Sequence, residues 1–177
     1  MNNVINSARL YARPFANADR NYFFLLHKNQ STIKFMGKGF LSDEEIDVRF
    51  EKNLDHQQQY GYSAWAVFEK ESNKFVGRCG LAKIGTLVKT DQDHSDKIEI
   101  GYAFLPEFWG SGYCQEIVPL FLSCGFKDFN LKEIFAKTAK DNLKSQHLLI
   151  KKFGFEYYCD VSVEDRDSLM FCLKNFY

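Results

Sequence analysis

An excess of charge of one sign is what this sequence most plainly lacks. Its 23 lysines and arginines face 23 aspartates and glutamates, so the broad positive field that draws a protein onto nucleic acid is missing. Long apolar runs are lacking too. No stretch approaches the ~20 apolar residues of a membrane span, and the opening MNNVINSARLYARPF has no apolar run behind a basic start. The expectation is a soluble, cytoplasmic protein with neither nucleic-acid nor membrane partners. The cysteines Cys79, Cys114, Cys124, Cys159 and Cys172 are odd in number and contain no CxxC pair, which points away from a zinc site or a disulfide framework. His27, His56, His94 and His147 lie far apart without metal-type spacing, so no metal is expected. No repeat, linker or low-complexity segment divides residues 1–177, and a single domain is expected, as monomer or homodimer.

What is present is a succession of hydrophobic patterns. ARLYARPF alternates apolar and basic residues before a proline and predicts a strand; ANADRNYFFLLHKN then carries its apolar side chains at helical spacing. LSDEEIDVRFEKNLDHQQQYG opens with a capping box, Ser42 with Glu45, and reaches Gly61, which predicts a helix over about residues 43–59. YSAWAVFEKESNKFVGRCGLAKI reads as two strands around the polar turn KESN. KIEIGYAFL is a third, with Ile98, Ile100, Tyr102 and Phe104 on one face and Glu99 and Gly101 on the other. Tyr113, Ile117, Leu120, Phe121 and Cys124 recur at helical intervals, KEIFAKTA is a strand, and NLKSQHLLIKKFGF is a helix with Asn142 as N-cap and Gly154 as left-handed cap. FEYYCDVSV and DSLMFCLKNF follow as two strands. The order βααβββαβαββ predicts an α/β (α+β) fold, a mixed sheet with helices on its faces.

The stretch FLPEFWGSGYCQE, residues 104–116, sets a strand end, a turn and two glycines before a helix. Such a stretch presents unobstructed backbone N–H groups at the positive end of the helix dipole, where an anion such as phosphate binds without a basic side chain. A Cβ at Gly110 or Gly112 would hold phosphate oxygens away from those amides. No lysine follows Gly112, so this is not a Walker loop, and Gln115 stands where a dinucleotide fingerprint needs glycine. The plainer reading, a tight turn whose glycines only let strand and helix pack, stays open at this point.

WGSGYCQE after EIGYAFLPEF resembles the acetyl-CoA loop of the Gcn5-related N-acetyltransferases (GNAT), especially the branch of the ribosomal-protein N-terminal acetyltransferases (RimJ/RimL-like). RLYARPF, YSAWAVFEKESNKFVGRCGL and NLKSQHLLIKKFGFEYY resemble this branch in the same order, so the likeness runs from about Ala8 to Phe171. One departure is Glu107, where the wider family carries Gln or Arg. The resemblance implies a mostly antiparallel sheet of about seven strands with about four helices, splayed between the fourth and fifth strands. It implies acetyl-CoA in the splay as cosubstrate, pantetheine on the backbone of Ala103, Phe104 and Leu105, and pyrophosphate on the amides of Trp109, Gly110, Ser111, Gly112, Tyr113 and Cys114. Asn142 would position the pantetheine arm from the far wall.

Direct attack of an amine on a thioester needs proton removal, oxyanion stabilisation and a proton for the leaving thiolate. Glu99 is the candidate base, through water, with a solvated strand glutamate as the plain alternative. Ser145, three residues after Asn142 on one helix face, is the candidate donor to the thiolate, with an ordinary helix serine as its alternative. The amide of Phe104 is the candidate oxyanion donor. Phe23, Phe35, Phe40, Trp65 and Tyr102 are candidates for an aromatic acceptor pocket, core packing being the alternative. TDQDHSD adds carboxylates near Glu99, and Cys114 stands at a helix start, where a thiol can have a lowered pKa or simply pack. The expected acceptor is a protein or peptide N-terminal α-amine; a small-molecule amine and a non-catalytic acyl-CoA-binding role are the other readings.

Overall fold

The computed structural model describes residues 4–85, 88–89, 94 and 96–175. The chain first forms β1 (Ile5–Asn6) and β2 (Leu10–Pro14), then α1 (Arg20–Lys28), α2 (Gln30–Ile33) and α3 (Asp43–Tyr60). There follow β3 (Ala64–Glu69), β4 (Phe75–Lys83), β5 (Val88–Lys89) and β6 (Ile98–Phe104). The last part holds α4 (Tyr113–Lys127), β7 (Glu133–Ala139), α5 (Leu143–His147), β8 (Glu156–Val163) and β9 (Arg166–Lys174).

Each predicted element is present, with local adjustments. The helix predicted after β2 ends at Asn29 as its pattern does, and a further short helix follows: the extended backbone of Asn29 ends α1 and its side chain caps α2 by accepting from Thr32 N–H. In α3 the capping box forms as its sequence requires: Ser42 Oγ accepts from Glu45 N–H at 3.2 Å and Glu45 Oε2 accepts from Ser42 N–H at 2.8 Å. Gly61 closes that helix in the left-handed region, φ 77°. After α5 the chain continues in a π turn, Leu148–Lys152, before Gly154 at φ 75°.

Among the described residues nine strands form one sheet in the order β1-β2-β3-β4-β6-β7-β9-β8-β5, two more than the sequence predicts. The additions, β1 and β5, are two residues each, too short to show a period. Every neighbouring pair is antiparallel except β6 and β7, which are parallel and register only at Glu99 opposite Phe135. Beyond that point β6 stays with β4 as far as Phe104, and β7 stays with β9 as far as Ala139, so the sheet splits where the resemblance places the splay.

Apolar alternation gives the sheet two filled faces. On one, α4 presses Ile117, Val118, Phe121 and Leu122 against Leu10, Val67, Cys79, Leu81 and Ile100. On the other, Phe23 and Leu26 of α1 and Ile46 and Phe50 of α3 meet Ala66, Phe68, Phe75 and Leu105. Each large side chain fully buried here contributes roughly 1.5–3 kcal/mol, which fixes the helices against the sheet. A third cluster, Ile84, Phe135, Val161, Met170 and Cys172, secures the strands beyond the split. Among the described residues no helix is long and apolar enough to cross a membrane.

Candidate active site at the split in the sheet

Strand β6 ends at Phe104, and Leu105 leads into a single 3-10 turn, Pro106–Phe108. Gly110 and Gly112 then take φ 77° and 80°, a left-handed region that costs any L side chain strain. A Cβ on Gly110 would meet nothing within 4 Å, so backbone angle rather than crowding requires glycine there. Gly112 is the N-cap of α4, no side chain caps that end, and the first helical bond is donated by Glu116 N–H to Gly112 O at 3.1 Å. The amides ahead of Glu116 therefore look outward at the positive helix end, the arrangement an anion needs.

A cation the sequence reading missed lies beside this end. Arg9 of the β1–β2 turn covers the Tyr113 ring at 4.5 Å, and its Nη2 would be 3.5 Å from a Cβ on Gly112. Its charge is partly spent on Glu116, whose Oε2 is 2.8 Å from Arg9 Nε. Burial alone would push the Glu116 carboxyl up, but hydrogen bonds from Ser7, the Arg9 amide and the Arg9 guanidinium outweigh it and hold the pKa low. Tyr113 gives its hydroxyl to Glu69.

Strand β6 offers main-chain groups to the split. Leu105 N–H donates to Val76 O at 2.9 Å, so with Phe104 opposite Gly77 the peptide groups of Ala103 and Gly101 also point at β4. Those of Tyr102 and Phe104 point the other way, into the split. This corrects the expected use of Ala103 and Leu105 for pantetheine: the Ala103 peptide groups and the Leu105 N–H belong to the β4 ladder, and the Leu105 carbonyl accepts from Phe108 N–H at 3.0 Å. The Phe104 carbonyl is also taken, by the Trp109 indole N–H at 2.7 Å and the Thr32 hydroxyl at 3.4 Å, which leaves the Phe104 N–H facing the opening.

Across the split, Asn142 caps α5 by accepting from Ser145 N–H at 3.2 Å through Oδ1, so its amide nitrogen is the end left for a ligand. The Ser145 hydroxyl lies 2.9 Å from the Tyr102 hydroxyl, a hydrogen bond that joins α5 to β6. Burial pushes the Tyr102 pKa up, with the nearby Cys114 thiol adding to it and the bond to Ser145 opposing, so the phenol stays protonated. Glu99 lies at the root of the split, on the face opposite Ile98 and Ile100, with Oε2 2.9 Å from Lys137 Nζ.

Trp65 is not an acceptor-pocket residue at the split: it is 5 % exposed, edge-on to Phe121 at 5.6 Å, with its indole N–H on Gln57. It belongs to the α4 side of the core, because β3 turns odd-numbered residues that way. The Cys114 thiol is not activated: burial pushes its pKa up to about 12, overriding the helix dipole. Phe23 is core, Phe40 is 72 % exposed, and Phe35 is half-buried with the Arg166 guanidinium 5.8 Å from its ring. Most of TDQDHSD, including Asp91 and Asp93, lies outside the described residues. Among the described residues no group of His, Cys, Asp and Glu is arranged to hold a metal.

On the other face of β6 the sequence reading missed Arg78. It is opposite Ala103 on β4, and its Nε is buried without a hydrogen-bond partner. A lone arginine inside the apolar strand FVGRCGL is the signal that marks it.

The family profile described as "Acetyltransferase (GNAT) domain" matches residues 9–156. Among characterised relatives, the FsC-acetyl coenzyme A-N(2)-transacetylase of Aspergillus fumigatus is 26 % identical over 148 residues, which are 82 % of this chain and 62 % of that protein. The match thus spans less than two thirds of that relative. Among solved structures, the spermidine N-acetyltransferase of Vibrio cholerae in complex with CoA and spermine superposes with a TM-score of 0.73, at 18 % identity, over 94 % of this chain and 96 % of that one. RimL, a ribosomal L7/L12 alpha-N-protein acetyltransferase in complex with coenzyme A, does so with 0.76, at 17 % identity, over 97 % of both. The likeness to these structures is one of fold, and the match over residues 9–156 settles the class: the chain belongs to the GNAT acetyltransferase family, enzymes that use acetyl-CoA.

Proposed function

We propose that this protein transfers the acetyl group of acetyl-CoA to a primary α-amine by direct attack, with a protein or peptide N-terminus as acceptor, as in the RimJ/RimL-like branch. The observation that carries the reading is the pair of left-handed glycines opening the uncapped end of α4 at the mouth of the split. It has room and dipole for a pyrophosphate, while the Tyr102 peptide groups offer an edge to a pantetheine arm.

In this scheme the amine nitrogen attacks the thioester carbon, the C–N bond forms and the C–S bond breaks. The Phe104 N–H faces the carbonyl oxygen as negative charge develops there. Glu99 accepts the proton the amine loses, through water, and the Ser145 hydroxyl gives a proton to the departing sulfur, replaced from Tyr102. Cys114, protonated and buried, takes no covalent part.

The test is release of free coenzyme A thiol from acetyl-CoA against a panel of peptides and small amines, with a cofactor-only control. The reading expects turnover above that control with peptide α-amines. Turnover confined to small amines replaces the acceptor assignment. Cofactor binding without turnover on any amine makes the protein an acyl-CoA binder.

A further inference from the structure

The face of β6 that turns away from Tyr102 carries Glu99, Gly101 and Ala103, and Arg78 joins it from β4. A methyl group built on Gly101 would meet nothing within 4 Å, so open space lies directly over this strand beside the split. The cations of the surrounding elements are mostly paired. Arg49 of α3 pairs with Glu164 at the tip of the β8–β9 hairpin, Lys137 with Glu99, and Arg166 with Asp141 at 3.1 Å. Each of those cations thus has its own carboxylate. Arg78 alone of this group has no ion pair or hydrogen bond among the described residues: the carboxylate that acts on it, Glu99, is bonded to Lys137, and its own Nε is buried without an acceptor. The neighbouring imidazole supplies no anion either: His27 is 3 % exposed, donates Nδ1–H to Phe23 O at 2.8 Å, and is uncharged at neutral pH.

An unpaired guanidinium held partly out of water is destabilising unless something supplies the opposite charge, and its planar fork matches a carboxylate in a two-point contact. Resting on the acetyl-transfer reading, we infer that Arg78 is the acceptor's anion site: the amine that is acetylated also carries a carboxylate, which docks on Arg78 over Gly101. The placement suits that role. Arg78 stands directly across the ladder from Ala103, whose neighbours Tyr102 and Phe104 edge the split, so a carboxylate there leaves an amine a few bonds away facing the thioester. Two sources share this chemistry, a free amino acid and a peptide whose first or second residue is acidic. A polyamine, which has only positive charge, is excluded.

The decisive experiment measures kcat/KM with matched acceptors that differ only in charge. These are free amino acids against their amides, and short peptides with Asp or Glu against Asn or Gln at the first two positions, with spermidine as a cationic control. The carboxylate member of at least one series is expected to be favoured at least tenfold, and which series responds names the source. Arg78→Gln is expected to remove that preference by raising KM for the carboxylate acceptor alone, with coenzyme A affinity retained; Arg78→Lys is expected to restore part of it. Gly101→Val, which fills the open space without backbone strain, is expected to raise KM for every acceptor. Equal use of acid and amide, or a preference that survives Arg78→Gln, overturns the assignment. If Arg78→Gln does not fold, the wild-type comparison decides. If no amine is turned over, the transfer reading fails separately, and calorimetry of the same pairs with coenzyme A-loaded protein decides the anion site, where equal binding of acid and amide overturns it.

Discussion

The anion sites proposed on the two sides of β6 use opposite means. At the α4 end the holding groups are main-chain amides, aligned by two glycines and a helix dipole, with Arg9 largely engaged by Glu116. Over Gly101 the backbone is spent on the ladder with β4, and a single side chain, Arg78, carries the charge. A backbone site ignores everything except negative charge and shape, which suits a cosubstrate used by a whole family. A side-chain site can be changed by one substitution, which suits an acceptor that differs from one enzyme to the next.

The largest test of this contrast lies between the two sites. Ser145→Ala is expected to lower kcat about a hundredfold with KM for acetyl-CoA unchanged, because the departing sulfur loses its proton source while both anion sites remain. A comparable rise in KM for acetyl-CoA would instead make Ser145 a binding group. Next in size is a pH effect confined to the acceptor side. Burial first, then Arg78 and Arg49, hold the His27 pKa at about 3 against 6.5 for a free imidazole, so folding favours the neutral ring. The stability this lends is complete above pH 6.5 and is lost as pH falls from there toward 3, at about 1.4 kcal/mol per pH unit. Urea unfolding at pH 7 and pH 5 is therefore expected to differ by about 2 kcal/mol in the wild type and by clearly less in His27→Gln. Equal differences would put the ring in water.

Gly112→Val places a β-branched side chain at φ 80°, and coenzyme A affinity is expected to fall about tenfold by calorimetry while the acid-over-amide preference of surviving turnover stays. Arg9→Ala should matter least. With its guanidinium half-exposed and already paired, it is expected to weaken coenzyme A binding less than about threefold, and less still at high salt. A large loss would mean that the cofactor end, too, depends on a side chain.

That contrast also explains what could be read in the sequence. Main-chain devices leave local marks, so the glycine pair, the Ser42–Glu45 cap, the Asn142 cap and the hairpin turn at KESN were all legible within a few residues of chain. The site over Gly101 joins residues from α1, α3, β4, β6 and the β8–β9 tip, and no spacing rule connects His27, Arg49, Arg78 and Glu164. Trp65 shows the reverse error: its residue type suits a pocket or a core equally well, and only the register of β3 puts it behind the sheet. The four-residue α2 after Asn29 and the π turn after α5 were missed because one turn is too short to show a period and periodicity is insensitive to one residue gained or lost.

The β8–β9 connection has a consequence of its own. Glu164 and Asp165 both take positive φ, 50° and 65°, in a two-residue turn without glycine, and Glu164 reaches Arg49 while leaving no room for a side chain on Gly37. Local conformational preference and long-range anchorage therefore pull against each other at one residue. Glycine in place of Glu164 would relax the turn and at the same time release Arg49 of α3, so the robustness of the hairpin and its anchorage to α3 can be adjusted in opposite directions from one position.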